Sequence, residues 1–192
     1  MTRLDIVLVA SAAACFVPYT SRAQDAQQQD VLDAKSATTM LSEYRADLTL
    51  VHDKVLDLAD SIPADRYAWR PSPAVRSIAE VLMHVAGEWY SICPMSVGAQ
   101  PPAGFGPPRE ALPKLERSTA AKAEVLAQLR TSWAHCAAAL GSADPARLTG
   151  RYEPARMSLA RAALRVAGDQ HEHLGQLISY ARSVGVTPSW SK

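Results

Sequence analysis

Polar side chains that could hold a metal ion are concentrated in one stretch near the C-terminal end of the chain. The eight residues Asp169–Gln176 contain two of the five histidines together with two carboxylates. Asp169 precedes His173 by four residues, so both side chains project from one face of a helix and could supply two ligands. His171 is two residues from His173, and we expect it on the surface or bridging to a neighbouring helix.

Two further histidines lie beside the apolar stripes of other predicted helices. His84 has Glu80 and Glu88 one helical turn away on either side, and His52 stands at the edge of its stripe. Buried imidazoles are costly without partners, and neutral imidazole is a good ligand for zinc, nickel or iron. The predicted ligands of a divalent metal are His52, His84, Asp169 and His173. A hydrogen-bonded polar cluster without metal is the alternative, and for His52 alone an ordinary half-buried histidine is the simpler interpretation.

Other polar residues nearby could support these ligands. Gln176, Glu172 and Glu88 are candidates to orient the ligating groups. Glu88 or Glu172 could also carry a proton in a reaction. The residue pattern leaves the reaction itself and its catalytic residues open.

Four amphipathic helices are predicted to position these residues. Apolar residues recur at three- and four-residue steps over about 37–61, 77–92, 118–140 and 158–183. Ser77 and Glu80 form a capping box at the start of the second helix. Ser118 is the predicted N-cap of the third helix, and Gly141 is predicted to end it. These helices predict an all-α four-helix bundle.

The link between the second and third helices decides the topology of this bundle. Residues 94–113 are rich in proline and glycine and lack periodicity, whereas bundle connections usually take about 2–8 residues. A long crossover would let these two helices run parallel. At roughly 1.5 Å per residue, His52, His84 and His173 would then lie about 14, 10 and 15 Å above one end of the bundle. The crossover topology therefore brings the three histidines to one level.

The first 23 residues have the pattern of a secretory signal peptide. An apolar run over 6–19 is too short to span a bilayer, and small residues around Arg22 offer a cleavage site. Residues 24–36 are polar and predict a disordered lead-in, which leaves 37–192 as the bundle domain. We expect a secreted or periplasmic protein without stable membrane insertion after cleavage, the alternative being a single membrane anchor.

The cysteine content bears on whether a disulfide forms, and the net charge bears on the class of binding partner. Cleavage would leave Cys93 and Cys136, which an oxidising compartment allows to pair. Because Cys93 lies off the stripe of its predicted helix, free thiols are favoured. The formal net charge of +1 provides no basic surface for nucleic acid, so the expected partner is a small molecule.

The chain resembles the DinB-like family, also called YfiT-like, of metal-binding helical bundles. The resemblance rests on five stretches, which are Leu58–Pro63, Trp69–Pro71, Val75–Ala86, Glu172–Arg182 and Val186–Trp190. It implies a four-helix bundle with the crossover, a metal site and a homodimer. The family's ligands are one histidine on the second helix and a His-x-x-x-His pair on the fourth. Carried over by position, these are His84 and His173, with Asp169 in place of the first histidine of the pair.

The aspartate at this position leaves two outcomes open. In the first outcome, the site is kept and binds zinc, nickel, iron or manganese. In the second outcome, the usual site is lost, and either His52 or a water takes the place of the missing ligand or no metal binds at all. Family members of known chemistry resemble thiol-dependent transferases and isomerases, but an export signal fits poorly with thiol cofactors of reducing compartments. The sequence thus predicts an exported metal-dependent hydrolase or thiol transferase. The alternative is a non-catalytic exported bundle with a metal-free polar core.

Overall fold

The first long helix, α1, spans Ala34–Ser61 and begins earlier than predicted. Asp33 explains this start, because its carboxylate accepts a hydrogen bond from the Ser36 N–H at 2.7 Å. The computed structural model describes residues 32–117, 121–152 and 156–191. The predicted signal peptide and most of the predicted lead-in lie outside the described residues, and the end of that lead-in belongs to α1.

The second long helix, α2, spans Ile78–Tyr90 and begins with the predicted capping box. The Ser77 hydroxyl accepts a hydrogen bond from the Glu80 N–H at 3.2 Å, and the Glu80 carboxylate accepts one from the Ser77 N–H at 2.6 Å. Two otherwise unpaired backbone donors are thereby satisfied where Ser77 is buried.

Replacing Ser77 with alanine is expected to lower the free energy of unfolding by about 1 kcal/mol, because a buried cap is lost. Urea denaturation of Ser77→Ala measures this change. Ser183→Ala is the matched control, since that exposed hydroxyl bonds only to the Ser179 carbonyl within its own helix. Its expected change is within about 0.5 kcal/mol. Equal losses in the two variants would contradict a role for the cap.

The segment between the second and third long helices contains two short helices where the sequence predicted an irregular link. They are α3, Ile92–Ser96, and α4, Pro108–Arg117. Pro108 occupies the first position of α4, where proline is favoured because no backbone N–H is needed there. α4 packs on α2 beside Gly87, at a point where an added side chain would collide with Leu112. The crossover is therefore a packed element of the fold.

The third long helix, α5, spans Lys122–Ser142 and differs at both ends from the prediction. The predicted N-cap, Ser118, lies outside the described residues, and the helix begins after Ala121. The predicted end, Gly141, is still helical. Arg45 accounts for the longer helix, because its guanidinium donates to carbonyls at the C-terminal end, among them that of Leu140 at 2.6 Å.

The fourth long helix, α6, spans Leu159–Ser183 and is capped by Ser158, close to the predicted boundaries. It follows a small hairpin in which β1, Arg151–Tyr152, pairs antiparallel with β2, Met157–Ser158. The sequence predicted this region as a loop, because strands of two residues are too short to show a periodicity.

The four long helices form the predicted bundle with its crossover. Arg45 in the first half of α1 meets the end of α5, and Lys122 at the start of α5 donates to the Ile62 carbonyl just after α1, so these helices are antiparallel. Cys93, just after α2, is bonded to Cys136 near the end of α5, so α2 and α5 run parallel. Ser189, just after α6, bonds to Asp57 near the end of α1 at 2.9 Å, so α1 and α6 run parallel. The all-α bundle is thus confirmed.

Apolar stripes of all four long helices meet in one core. Its largest fully buried apolar side chains include Leu41, Leu48, Leu58, Ile78, Leu82, Trp89, Leu129 and Leu177. Within the described part of the chain, no helix combines the length and apolarity that crossing a bilayer requires.

The two cysteines form a disulfide, and the prediction of free thiols is wrong. Cys93 and Cys136 are fully buried with Cα atoms 6.0 Å apart. Ser91 ends α2 with a backbone at φ −123° and ψ −75°, and α3 starts afresh at the next residue. Cys93 follows the buried Trp89 by four residues, a spacing that places it on the core side of even a continuous helix, and in the structure it meets Cys136 of α5.

Candidate metal centre

The structure brings together two of the predicted ligands, His84 on α2 and His173 on α6. Their ring centroids are 4.7 Å apart in an edge-to-face arrangement with an interplanar angle of 73°. Both side chains are largely buried, with 14% and 12% of their surface exposed. The levels estimated for these two histidines thus agree with their contact across the bundle.

Glu88 completes a group of three potential ligands. It follows His84 by one turn, and its Oε1 lies 3.1 Å from His84 Nε2. Its Oε2 lies 3.6 Å from His173 Nε2. One ligand atom from each of these residues lies within 4.8 Å of the other two. The sequence assigned Glu88 to the support of ligands, whereas the structure places it among them.

The donor set and an unpaired nitrogen both fit a divalent metal. His173 Nε2 is buried and has no hydrogen-bond partner, which typically costs about 1–3 kcal/mol. Two imidazoles and one carboxylate are a common ligand set for catalytic zinc and for non-haem iron, and such sites keep positions open for substrate. The residues present therefore suit a bound cation.

Electrostatics within the group favour an ionised Glu88. Burial by itself would raise the pKa of Glu88, but the adjacent imidazoles of His173 and His84 hold that pKa at about 2. Burial likewise would lower the pKa of His84, but hydrogen bonds and negative charge from Glu88 and Glu116 leave it above its ordinary value. Glu88 is thus a carboxylate, the form that binds a cation.

Asp169, a predicted ligand, lies at the margin of this group. Its Oδ1 is 3.9 Å from His173 Nε2, and 42% of its side chain is exposed. Burial and the neighbouring Glu88 carboxylate raise the pKa of Asp169 to about 6. It borders both the metal-ligand group and an adjacent cavity of about 470 Å³, whose wall also includes Glu172, Arg165 and Tyr152. Asp169 therefore faces the space that a substrate could enter.

His52, the fourth predicted ligand, is placed elsewhere. Its ring stacks on Trp133 with centroids 4.3 Å apart and lies 5.4 Å from Trp89. Its Nδ1 and Asp53 Oδ1 are 2.9 Å apart. The height of a residue along a helix does not determine the direction in which its side chain points around the helix axis. In α1, the side chain of His52 points toward the two tryptophans. It does not belong to the group of potential ligands.

The remaining predicted residues have other partners or surroundings. His171 is 49% exposed and reaches Asp47 on α1 at 2.9 Å, in agreement with the expected bridge to a neighbouring helix. Gln176 donates to the Tyr180 hydroxyl at 3.0 Å. Glu172 is exposed and lines the cavity. The latter two were predicted to orient ligands; the side chains that hydrogen-bond to Glu88 and His84 from other elements are those of Gln170 and Glu116.

Gln170 is one residue that the sequence did not reveal. It is fully buried, accepts a hydrogen bond from Trp89 Nε1 at 2.7 Å and donates to Glu88 Oε2 at 2.6 Å. Gln170 therefore links a core tryptophan to the central carboxylate. The available signal was its spacing of four from Val166 and from Leu174, which places an amide within the apolar stripe of α6.

Glu116 of α4 is the second residue that the sequence did not reveal. Its Oε1 lies 2.5 Å from His84 Nδ1, and its Oε2 accepts a hydrogen bond from Arg76 Nε at 2.9 Å. It lay between the predicted link, 94–113, and the predicted third helix, 118–140, where no periodicity assigned a face to it. Only the packing of α4 on α2 brings it to the site.

Comparison with known proteins adds an independent finding. The family model of the DinB superfamily matches residues 47–177, which is more than half of the chain and includes the three potential ligands. A comparison with curated proteins gave no match.

Proposed function

Because the chain belongs to the DinB superfamily, we propose that it is a metal-dependent enzyme in which His84, Glu88 and His173 hold one divalent cation. The observation that carries this proposal is the buried, unpaired Nε2 of His173, which faces the Glu88 carboxylate. A cation between these atoms would satisfy the nitrogen and neutralise the carboxylate in one step. Zinc, nickel, iron and manganese all accept this ligand set.

The arrangement suits the activation of a water or a thiol. A bound divalent metal lowers the pKa of a coordinated water or thiol and polarises a substrate carbonyl. Asp169 lies between the ligand group and the cavity, so its carboxylate is placed to accept a proton from the nucleophile and return it to a leaving group. Glu172 at the cavity wall could exchange that proton with solvent. Hydrolysis and thiol transfer are the two reaction classes that we propose.

Export favours hydrolysis over thiol transfer. The signal-like pattern of residues 1–23 and the disulfide between Cys93 and Cys136 both support a periplasmic or secreted protein. Thiol cofactors are kept reduced in the cytoplasm, so a water-activating enzyme is the better fit to an oxidising compartment. We further propose a small-molecule substrate and a homodimeric protein.

A second candidate function is a non-catalytic bundle with a polar core. The hydrogen bonds that join Trp89, Gln170 and Glu88 favour it, because such networks can fix the register of helices. The unpaired His173 nitrogen and the adjoining cavity argue against it, since a purely structural network would be closed.

Metal analysis of the purified protein tests the proposal. We expect about one zinc, nickel, iron or manganese ion per chain by elemental analysis, and titration calorimetry should give the same stoichiometry for zinc. His173→Ala is expected to abolish this binding. His171→Ala is the matched control, because it removes an exposed histidine two positions away on the same helix, and it should bind as the unaltered chain does. No binding by the unaltered chain, or equal binding by His173→Ala, would overturn the proposal.

A further inference from the structure

We propose that Glu116 is a positioning residue that turns His84 toward the metal site, and that Arg76 holds Glu116 in place. The proposal rests on the proposed function, since it assigns His84 as a ligand. It gives the crossover a role beyond its packing on α2.

The contacts form a chain from solvent to the ligand group. Arg76 Nε donates to Glu116 Oε2 at 2.9 Å and Arg76 Nη2 donates to Glu116 Oε1 at 3.2 Å, the two-pronged geometry that fixes a carboxylate best. Glu116 Oε1 then meets His84 Nδ1 at 2.5 Å. Only 15% of the Glu116 side chain is exposed, so little water competes for its oxygens.

This arrangement determines which nitrogen of His84 can bind a metal. Neutral imidazole carries its proton on one nitrogen and a lone pair on the other. A proton on Nδ1, donated to Glu116, leaves the lone pair on Nε2, and Nε2 is the atom 3.1 Å from Glu88 Oε1. A carboxylate behind a ligating histidine also fixes the ring and makes the nitrogen a better donor, and its loss typically costs 10–100-fold in metal affinity.

The packing of α4 on α2 holds Glu116 next to His84. Leu112 covers Gly87 of α2, so the two helices approach closely there. Glu116 follows Leu112 by four residues and His84 precedes Gly87 by three, so the two helices run antiparallel and the second pair meets one turn away. A crossover without helical structure would not hold a carboxylate at this position.

Zinc affinity and the state of the His84 ring test the proposal together. Chelator competition should give a dissociation constant 10–100-fold higher for Glu116→Ala than for the unaltered chain, and a smaller increase for Glu116→Gln, whose carbonyl can still accept the Nδ1 hydrogen bond. Glu110→Gln is the matched control, because Glu110 is an exposed acid in the first turn of the same helix. Its affinity should not change.

Nitrogen NMR of the His84 ring in metal-free protein supplies the second measurement. Both ring nitrogens face a carboxylate, but the contact of Nδ1 with Glu116 at 2.5 Å is shorter than that of Nε2 with Glu88 at 3.1 Å. At a pH where the ring is neutral, we therefore expect the proton on Nδ1 in the unaltered chain and a shift toward Nε2, which then donates to Glu88, in Glu116→Ala. If Glu116→Ala does not fold, Glu116→Gln and Arg76→Gln provide the same comparison. An unchanged zinc affinity, or a ring state independent of Glu116, would overturn the proposal. If the unaltered chain binds no zinc, the proposed function fails, and the metal-free ring state alone then decides whether Glu116 positions His84.

Discussion

Replacing Cys93 and Cys136 together with alanine is expected to lower the free energy of unfolding by about 4 kcal/mol. The disulfide closes a loop with a sequence separation of 43 residues, and cross-linking a loop of this size restricts the unfolded chain by that amount. It ties the end of α2 to the end of α5 at fully buried positions. The melting temperature should fall by roughly 10 °C.

Differential scanning calorimetry with and without reductant measures this effect. The unaltered chain should lose stability on reduction, whereas the double variant should not respond to reductant. Zinc affinity serves as the internal control, because neither cysteine belongs to the potential ligands. A loss of stability below about 1 kcal/mol would contradict the expected contribution of the disulfide.

Replacing Gln170 with leucine is expected to affect stability and metal binding at once. Leucine leaves the Trp89 N–H and one Glu88 oxygen without their buried partners, which typically costs about 1–3 kcal/mol for each group. Glu88 would also lose the group that orients it, so zinc affinity should fall by about 10–100-fold. Denaturation curves and zinc titrations of the same preparation measure both effects.

Gln176→Leu is the matched control for this variant. Gln176 lies on the same helix, and its amide donates one hydrogen bond to the Tyr180 hydroxyl. Neither residue belongs to the group of potential metal ligands. We expect a loss of about 1 kcal/mol and no change in zinc affinity. If Gln170→Leu and Gln176→Leu lose the same stability and the same zinc affinity, the proposed role of Gln170 in orienting Glu88 is wrong.

Local signals were sufficient to predict the four long helices but not the short helices α3 and α4. The three- and four-residue spacing of apolar residues located α1, α2, α5 and α6, and the serine and glutamate at the start of α2 formed the predicted cap. A helix end was predicted wrongly where a residue distant in the sequence, and not a local stop signal, stabilises that end. Arg45, for example, binds carbonyls at the end of α5 and removes the need for a glycine stop.

The candidate site was predicted in part, and residue counting accounts both for its success and for the error at His52. The contact between His84 and His173 was predictable, because the number of residues gives the height of each side chain along parallel or antiparallel helices. His52 was assigned with the same counting and turned out to stack on Trp133, because counting leaves the rotation of a helix relative to its neighbours undetermined. Glu88 was predicted to support the ligands, and the structure places it in the group that could hold a metal, because it contacts both His84 and His173.

Periodicity, link length and motifs were enough to predict the class of fold, the crossover topology, the family and the two helices that carry His84 and His173. The structure was needed to show that Glu88 lies with the two histidines, that Gln170 and Glu116 contact this group, and that Cys93 pairs with Cys136. These contacts join residues far apart in the chain. Their existence depends on helix rotation and on the packing of α4, which local sequence patterns do not specify.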